Sequence, residues 1–232
     1  MKPIVVAVML GLVGAGQALG ADLPSPAPVP PASYFPASEY RWSGPYFGIN
    51  GGYGFGTSNW SLSGLSTGNF NVSGLILGGT FGANFFQING FVFGGEGDFD
   101  WSRIGGSSSA AGCAAIGAPA GATCETGSHW LATGRARVGY AIDRVLLYAT
   151  GGLAVADIDV GSTGGTFTGG TAGGGIEVAF TDHLTAKAEY LYVNFPNVRC
   201  SATTESPVVC GTGGLSLTEN IVRGGINYKF SW

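Results

Sequence analysis

The sequence predicts an all-β fold, an eight-stranded antiparallel up-and-down transmembrane β-barrel, and three observations carry that expectation. The stretch from Leu217 to Trp232 closes on a strict alternation, with Val222, Gly224, Ile226, Tyr228, Phe230 and Trp232 on one face and Arg223, Gly225, Asn227, Lys229 and Ser231 on the other. A period of two marks a strand whose faces meet different media. Only 10% of the residues are charged, while 43 of the 232 are glycine; soluble domains usually carry about a quarter charged residues. Similar alternating segments of about ten residues recur along the chain, the length at which a tilted strand crosses a bilayer.

The elements follow in order. Residues 1–20 read as a signal peptide: Lys2 is a positive start, Ile4 to Gly16 an apolar stretch, and Ala18-Leu19-Gly20 a small-x-small cleavage site. Residues 21–41 form a Pro-rich periplasmic tether, with Pro24, Pro26, Pro28, Pro30, Pro31 and Pro36 favouring polyproline II and leaving nothing to build a core from. The barrel is expected over residues 42–232. Its first segment, 45–56, sets Phe47, Ile49, Tyr53 and Phe55 against Tyr46, Gly48, Asn50, Gly52 and Gly54. The second, 73–83, places Leu75, Leu77, Phe81 and Ala83 on one side. In the third, 88–101, Phe91, Phe93, Phe99 and Trp101 alternate with Glu96, Asp98 and Asp100. The fourth, 130–140, opposes Ala132, Ala136, Val138 and Tyr140 to Thr133, Arg135, Arg137 and Gly139. The fifth spans 145–158, and the sixth runs from Gly173 to Phe180 with Glu177 on its minority face. In the seventh, 185–195, Lys187 and Glu189 oppose Ala188, Tyr190 and Tyr192. The terminal strand is the eighth.

Connections alternate in expected length. Short turns fall near 84–87, 141–144 and 181–184, and long loops near 57–71, 102–128, 159–170 and 196–216, the asymmetry of an outer-membrane barrel with short periplasmic turns. The four cysteines lie in two of those loops. Their spacing suggests Cys113–Cys124 and Cys200–Cys210 disulfides, although three pairings are formally open. Zinc would want closer cysteine spacing and histidine partners. The net charge of −4, without a basic cluster, excludes a dominant nucleic-acid role.

Alternation does not say which face is inside. A secreted soluble barrel would turn its apolar face inward. The minority face here is mostly Gly, Thr and Asn with a few charges of both signs, too sparse for a solvated surface. That favours the membrane barrel.

Several stretches resemble a known family. Ala21-Asp22-Leu23-Pro24, Trp42-Ser43-Gly44-Pro45-Tyr46, Gly95-Glu96-Gly97-Asp98-Phe99, Gly134 to Tyr140, Leu147 to Gly152 and the Arg223…Tyr228-Lys229-Phe230 end together resemble the small outer-membrane barrel proteins of alphaproteobacteria, the RopB and opacity-like porin group. The resemblance covers nearly all of the chain beyond residue 20. It implies an eight-stranded outer-membrane barrel and little chemistry. The additional Ser231-Trp232 departs from the family's usual terminal Phe, leaving open which of Tyr228, Phe230 and Trp232 serves as the assembly signal.

On this expectation Glu96, Asp98, Asp100, Arg135, Arg137, Glu177, Lys187, Glu189, Arg223 and Lys229 line the lumen. An eight-stranded interior is just wide enough for side chains to fill it, and buried charges must pair. A lumen salt-bridge network is therefore expected ahead of a conducting path. Ser128-His129 is the one Ser-His neighbour near the external rim, but adjacent strand residues point to opposite faces. The glycine runs 151–152 and 173–175 lack the strand–GxxxxGK[ST]–helix context of a phosphate loop. Tyr46, Phe47, Trp101, Trp130, Tyr140, Tyr190, Tyr192, Tyr228 and Trp232 are assigned to interfacial girdles. The expected role is a structural, monomeric, non-enzymatic wall protein of the outer membrane that contributes to envelope integrity and displays loops. Its expected partners are outer-membrane lipid, lipopolysaccharide and the barrel-assembly machinery, with no cofactor. The alternatives are a narrow porin for small solutes and a loop-mediated adhesion protein.

Overall fold

The structure, a computed structural model, describes residues 40–62, 64–160, 163–198 and 214–230. Its strands are β1 (Gly44–Leu62), β2 (Leu65–Ser66), β3 (Phe70–Ile88), β4 (Phe91–Ser107), β5 (Glu125–Ile142), β6 (Val145–Val160), β7 (Thr163–Ala179), β8 (Leu184–Val198) and β9 (Gly214–Lys229); one short helix, α1 (Ala110–Ala115), lies between β4 and β5. Strand β2 only folds back on the tip of β1, through Ser61↔Ser66 and Leu62↔Leu65. The other eight pair with their sequence neighbours in antiparallel register. The wall closes where β1 meets β9, from Tyr46↔Lys229 to Ser61↔Gly214. Closure leaves neither edge strand open.

The phase of alternation is inverted relative to a soluble barrel. Phe81 is 66% exposed and Trp101 69%, whereas Asp98 and Arg135 are 2% and 4% exposed. Apolar side chains thus cover the outside, and the charged minority face is the interior.

Three boundaries differ from the sequence expectation. The first turn is Asn89-Gly90 rather than 84–87: both residues take positive φ, 49° and 83°, as the tight hairpin turns favoured by Asn-Gly require. A bulge between Asn84 and Phe86 resets the register of β3 against β4 just before it. The strands also run well beyond the apolar band, so much of 57–71 and 102–128 is ladder rather than loop. The expected loop 159–170 is not one. Pairing of β6 with β7 continues out to Val160↔Thr163, because Thr166, Thr168 and the surrounding glycines sustain a polar ladder outside the membrane as readily as a loop. The tether through residue 39, Cys200, Cys210 and Trp232 lie outside the described residues.

The interior is layered. At the end carrying the short turns, Tyr40 and Trp42 pack with Val92, Ala141, Leu146, Tyr148 and Ala179. A belt of charged residues follows. Toward the loop end, Trp60, Ile104, Leu131, Ile158, Phe195 and Leu217 belong to one buried apolar cluster. The β4–β5 connection folds over that cluster. Ser109 caps α1 by accepting from the Gly112 amide at 3.1 Å, and Cys113, Ile116 and Cys124 are buried within the cluster. The Cys113–Cys124 disulfide is formed, and Ser108 N donates to Cys124 O at 2.9 Å.

Close approach at the seam depends on Gly52. A Cβ there would stand 2.2 Å from the Val222 carbonyl and 2.6 Å from the Arg223 Cα. Gly52→Val should therefore prevent β1 from seating on β9, abolishing the heat-modifiable band on SDS gels; a normal band would refute this account of closure. Removing the disulfide by Cys113→Ser should be milder. An 11-residue separation corresponds to about 2–3 kcal/mol in loop entropy, read as a lower urea midpoint under non-reducing conditions with the band retained.

Candidate functional site

The charged belt is assembled from β4, β5, β7, β8 and β9; β4, β5 and β8 contribute inward residues two apart, and β7 and β9 one each, Glu177 and Arg223. Registration places Glu96 opposite Arg135, Glu177 opposite Lys187 and Glu189 opposite Arg223. Cross-strand opposite charges are favourable in any sheet; closure adds contacts across the lumen.

Arg135 is the hub. Its Nη2 donates to Glu96 Oε1 at 2.5 Å and Asp98 Oδ2 at 2.6 Å, and its Nη1 donates to Glu189 Oε1 at 3.1 Å. Arg223 Nε donates to Glu189 Oε2 at 2.8 Å and Nη1 to Asp100 Oδ2 at 3.1 Å, while Nη2 lies 3.0 Å from Asp98 Oδ1. Lys187 Nζ crosses to Glu96 Oε1 at 2.9 Å. Arg137 Nη2 donates to Glu177 Oε2 at 2.7 Å and Nη1 to the Tyr46 hydroxyl at 2.7 Å. Its guanidinium lies 4.2 Å from the Tyr148 ring centroid and 5.6 Å from that of Tyr46. The side chain of Arg135 is fully buried, so these groups have exchanged water for one another. Carboxylate oxygens left over are covered by hydroxyls and amides: Thr80 and Thr133 donate to Asp98, each at 2.8 Å. Thr185 and Asn227 donate to Glu177 at 2.5 and 3.0 Å.

Nine of the ten residues expected to line the lumen meet in this belt. Lys229 does not. It points inward at the turn end, where its Nζ donates to the Arg41 carbonyl and lies 4.2 Å from the Tyr40 ring centroid. Its position near the mouth, level with Tyr46 on β1, brings it to the segment entering the barrel instead of to the acids. That segment closes the mouth. Trp42 Nε1 donates to the Asp143 carbonyl at 3.0 Å, Asn84 Nδ2 donates to the Trp42 carbonyl at 2.9 Å, and Gln87 Oε1 accepts from Trp42 N at 2.7 Å. Burial pushes the Tyr40 phenol up to about 12, helped by the negative charge of Glu177.

Tyr46 is a further correction. Assigned to a girdle, it is instead buried in the lumen and donates to Glu96 Oε2 at 2.8 Å. The usable signal was its phase, shared with Asn50, which outweighs nearness to a segment end. Tyr148, which donates to Glu189 Oε1 at 3.0 Å, shares the inward phase of Thr150 in the same way. Of the other girdle aromatics, Trp130 stacks on Phe99 at 5.7 Å and Tyr140 meets Phe91 at 5.2 Å on the outer surface. Tyr228 and Phe230 sit edge to face at 5.3 Å outside the turn end. Ser128 and His129 part company: Ser128 is buried, and His129 Nδ1 faces outward, 3.4 Å from Asp159 Oδ2.

A family model described as "Outer membrane protein beta-barrel domain" matches residues 27–230. The 31 kDa outer-membrane immunogenic protein of Brucella melitensis biotype 1 is 31% identical, the match covering 99% of this chain and 100% of that protein. The 22 kDa outer membrane protein of Rhizobium leguminosarum bv. viciae is 28% identical, over 88% of this chain and 82% of that one. Among solved structures, the outer membrane protein OprG from Pseudomonas aeruginosa superposes with a TM-score of 0.53 at 14% identity, covering 83% of this chain and 98% of that one. That similarity concerns fold alone.

The hub position makes a direct demand. Arg135→Met strips Glu96, Asp98 and Glu189 of a shared cation, and breaking a buried ion pair from one side costs about 3–5 kcal/mol. Refolded variant barrel should show a markedly lower urea midpoint than wild type; an unchanged midpoint would show that the belt contributes no net stability.

Proposed function

Because this chain belongs to the outer membrane protein β-barrel domain family and is an outer-membrane protein, we propose that it acts as a sealed wall element. In this reading it reinforces the membrane and displays loops outside, and it does not conduct solutes. The observation that carries this is the filled interior. Ion-paired side chains span the belt, an apolar cluster tied to the disulfide loop occupies the loop end, and Tyr40 and Trp42 pack into the turn end. An apolar constriction closes a water-filled path by dewetting it, and buried Leu131, Ile158, Leu191 and Leu217 form one toward the loop end.

The remaining assignments follow from that premise. Lipid covers the exposed aromatic and aliphatic band, with lipopolysaccharide against its outer part. Tyr228 and Phe230, with Trp232 beyond them, would present the aromatic end that barrel-assembly machinery reads. Eight strands suffice for a monomer. The immunogenic naming of the Brucella relative supports display of loops at the cell surface, which is where an adhesion role would reside. No catalytic role is assigned, because the Ser128 and His129 side chains lie on opposite faces of the wall.

Refolded protein in planar bilayers should give no discrete conductance steps. Reproducible steps from barrel that also shows the folded, heat-modifiable band would overturn the sealed reading in favour of a narrow porin.

A further inference from the structure

Glu219 of β9 lies inside the barrel but outside the charged belt. It takes the inward phase between Leu217 and Ile221 and is 2% exposed. Its partners in register are Gly56 of β1 and Val193 of β8, so one neighbour has no side chain and the other no polar side-chain atom. Leu217, Ile221, Leu191, Val193 and Phe195 all belong to the apolar loop-end cluster. Ile104 of β4 closes on the adjoining layer: a Cβ on Gly54 would stand 2.3 Å from Ile104 Cδ1 and 3.6 Å from Ile221 Cγ1. The carboxyl group is set in a core of hydrocarbon side chains.

Nothing described in that core neutralises it. Among the described residues no donor is hydrogen-bonded to the Glu219 carboxyl and no cation pairs with it. On its own strand the first charge is Arg223, which already holds Asp98, Asp100 and Glu189. Those acids of β4 and β8, with Lys187 of β8 and Arg135 of β5, form the belt on that side. From the belt toward the loop end, the buried inward positions described on β1 and β3 to β8 bear apolar groups, indole or hydroxyls such as Ser58, Ser102, Thr126 and Thr171. The segment carrying α1 holds no charge between Ser108 and Cys124. Arg103, Glu125, His129, Asp157 and Asp159 lie on the outer face. An ionised carboxylate buried without a partner is far more costly than a neutral acid, so such a group keeps a proton instead. This level lies beyond the hydrocarbon, since Thr57, Thr218 and Asn194 share the adjoining outward row, and burial pushes the Glu219 carboxyl up to about 7.

We propose that Glu219 is a proton-operated latch of the loop-end core. With its O–H bond intact it packs as a neutral acid among Leu217, Ile221 and Val193. Loss of that proton to water, forming hydronium, leaves a carboxylate that must draw water in, and the apolar cluster around it loosens. Cys113, Ile116 and Cys124 are buried in the same cluster, so the disulfide-tied segment loosens with it. The latch concerns packing at the loop end and does not depend on whether the barrel conducts.

A carboxyl that holds its proton more tightly in the folded barrel contributes stability that is fully present below its unfolded pKa and is lost as pH rises through its folded one. For Glu219 that window runs from about pH 5 to about pH 8. Amide hydrogen exchange of detergent-refolded protein, corrected for the intrinsic pH dependence of exchange, reads the latch directly. In wild type, protection of residues 113–124 and 214–221 should fall by up to about tenfold per pH unit across the window, while protection of residues 133–137 in the belt stays level. Glu219→Gln should flatten that profile. Glu219→Leu, which has no polar group to accommodate, should hold high protection throughout. Both variants should lose a protonated-carboxyl infrared band that wild type shows at about pH 5. Arg199, outside the described residues, supplies the control, and Arg199→Gln should leave the wild-type profile unchanged. Equal loss of protection at every pH in Glu219→Gln and Arg199→Gln would reveal an ion pair and overturn the proposal. A wild-type profile without slope, or a Glu219 variant as pH-sensitive as wild type, would overturn it too.

Discussion

The mutual neutralisation of charges inside the barrel is the interaction on which the rest of this structure depends. A wall whose outer face must be apolar has only its inner face left for polar residues, and eight strands enclose too little space for those residues to keep their water. Burial of ions without water is tolerable only with partners at bonding distance. Arg135 meets that demand by holding three carboxylates from two strands at once. Lys187 crosses the lumen to Glu96 instead of pairing with Glu177, its neighbour in register. The belt thereby ties β4, β5, β8 and β9 together by links independent of the backbone ladder, and strand order and lumen chemistry become a single constraint.

That constraint also explains the layering. Charges concentrate where the wall faces hydrocarbon, and there a paired network fills the bore. Beyond the outer aromatic residues the strands continue into water, and the interior changes character: Trp60, Ile158, Phe195 and Leu217 build a core like that of a soluble barrel. There the exterior turns polar, with Thr57, Asn59, Asn71 and Thr166 in the outward phase. The same chain runs two patterning rules in succession along each long strand, inverted within the bilayer and ordinary above it. The disulfide-tied loop belongs to the second regime, with Cys113, Ile116 and Cys124 packed as core.

Strand existence, number and phase were legible in the residues themselves. The alternation of Phe91, Phe93, Phe99 and Trp101 with Glu96, Asp98 and Asp100 needs only the period of a pleated strand, and nine of the ten lumen charges follow from phase alone. Ends were harder. The strands outlast the apolar band because polar residues such as Thr166 and Thr168 support a ladder as well as a loop, and composition does not distinguish the two. Tyr46 went to the wrong layer for a related reason: near a segment end an amphipathic ring fits either an interface or a lumen hydrogen bond, and only its phase, read strictly, decides. Lys229 shares the lumen phase but donates to the Arg41 carbonyl in the segment entering the barrel, a contact that alternation does not encode.

By itself the sequence determined what is local: an all-β chain, two chemically distinct faces, the closing aromatic strand, and a cysteine pair close enough to bridge. Tertiary structure decided who pairs with whom across the lumen, how far the strands run beyond the apolar band, and where each charge lies along the bore. The reason is physical. Periodicity is a property of neighbours along a strand, whereas pairing depends on register and closure, which bring together residues as distant as Asp100 and Arg223.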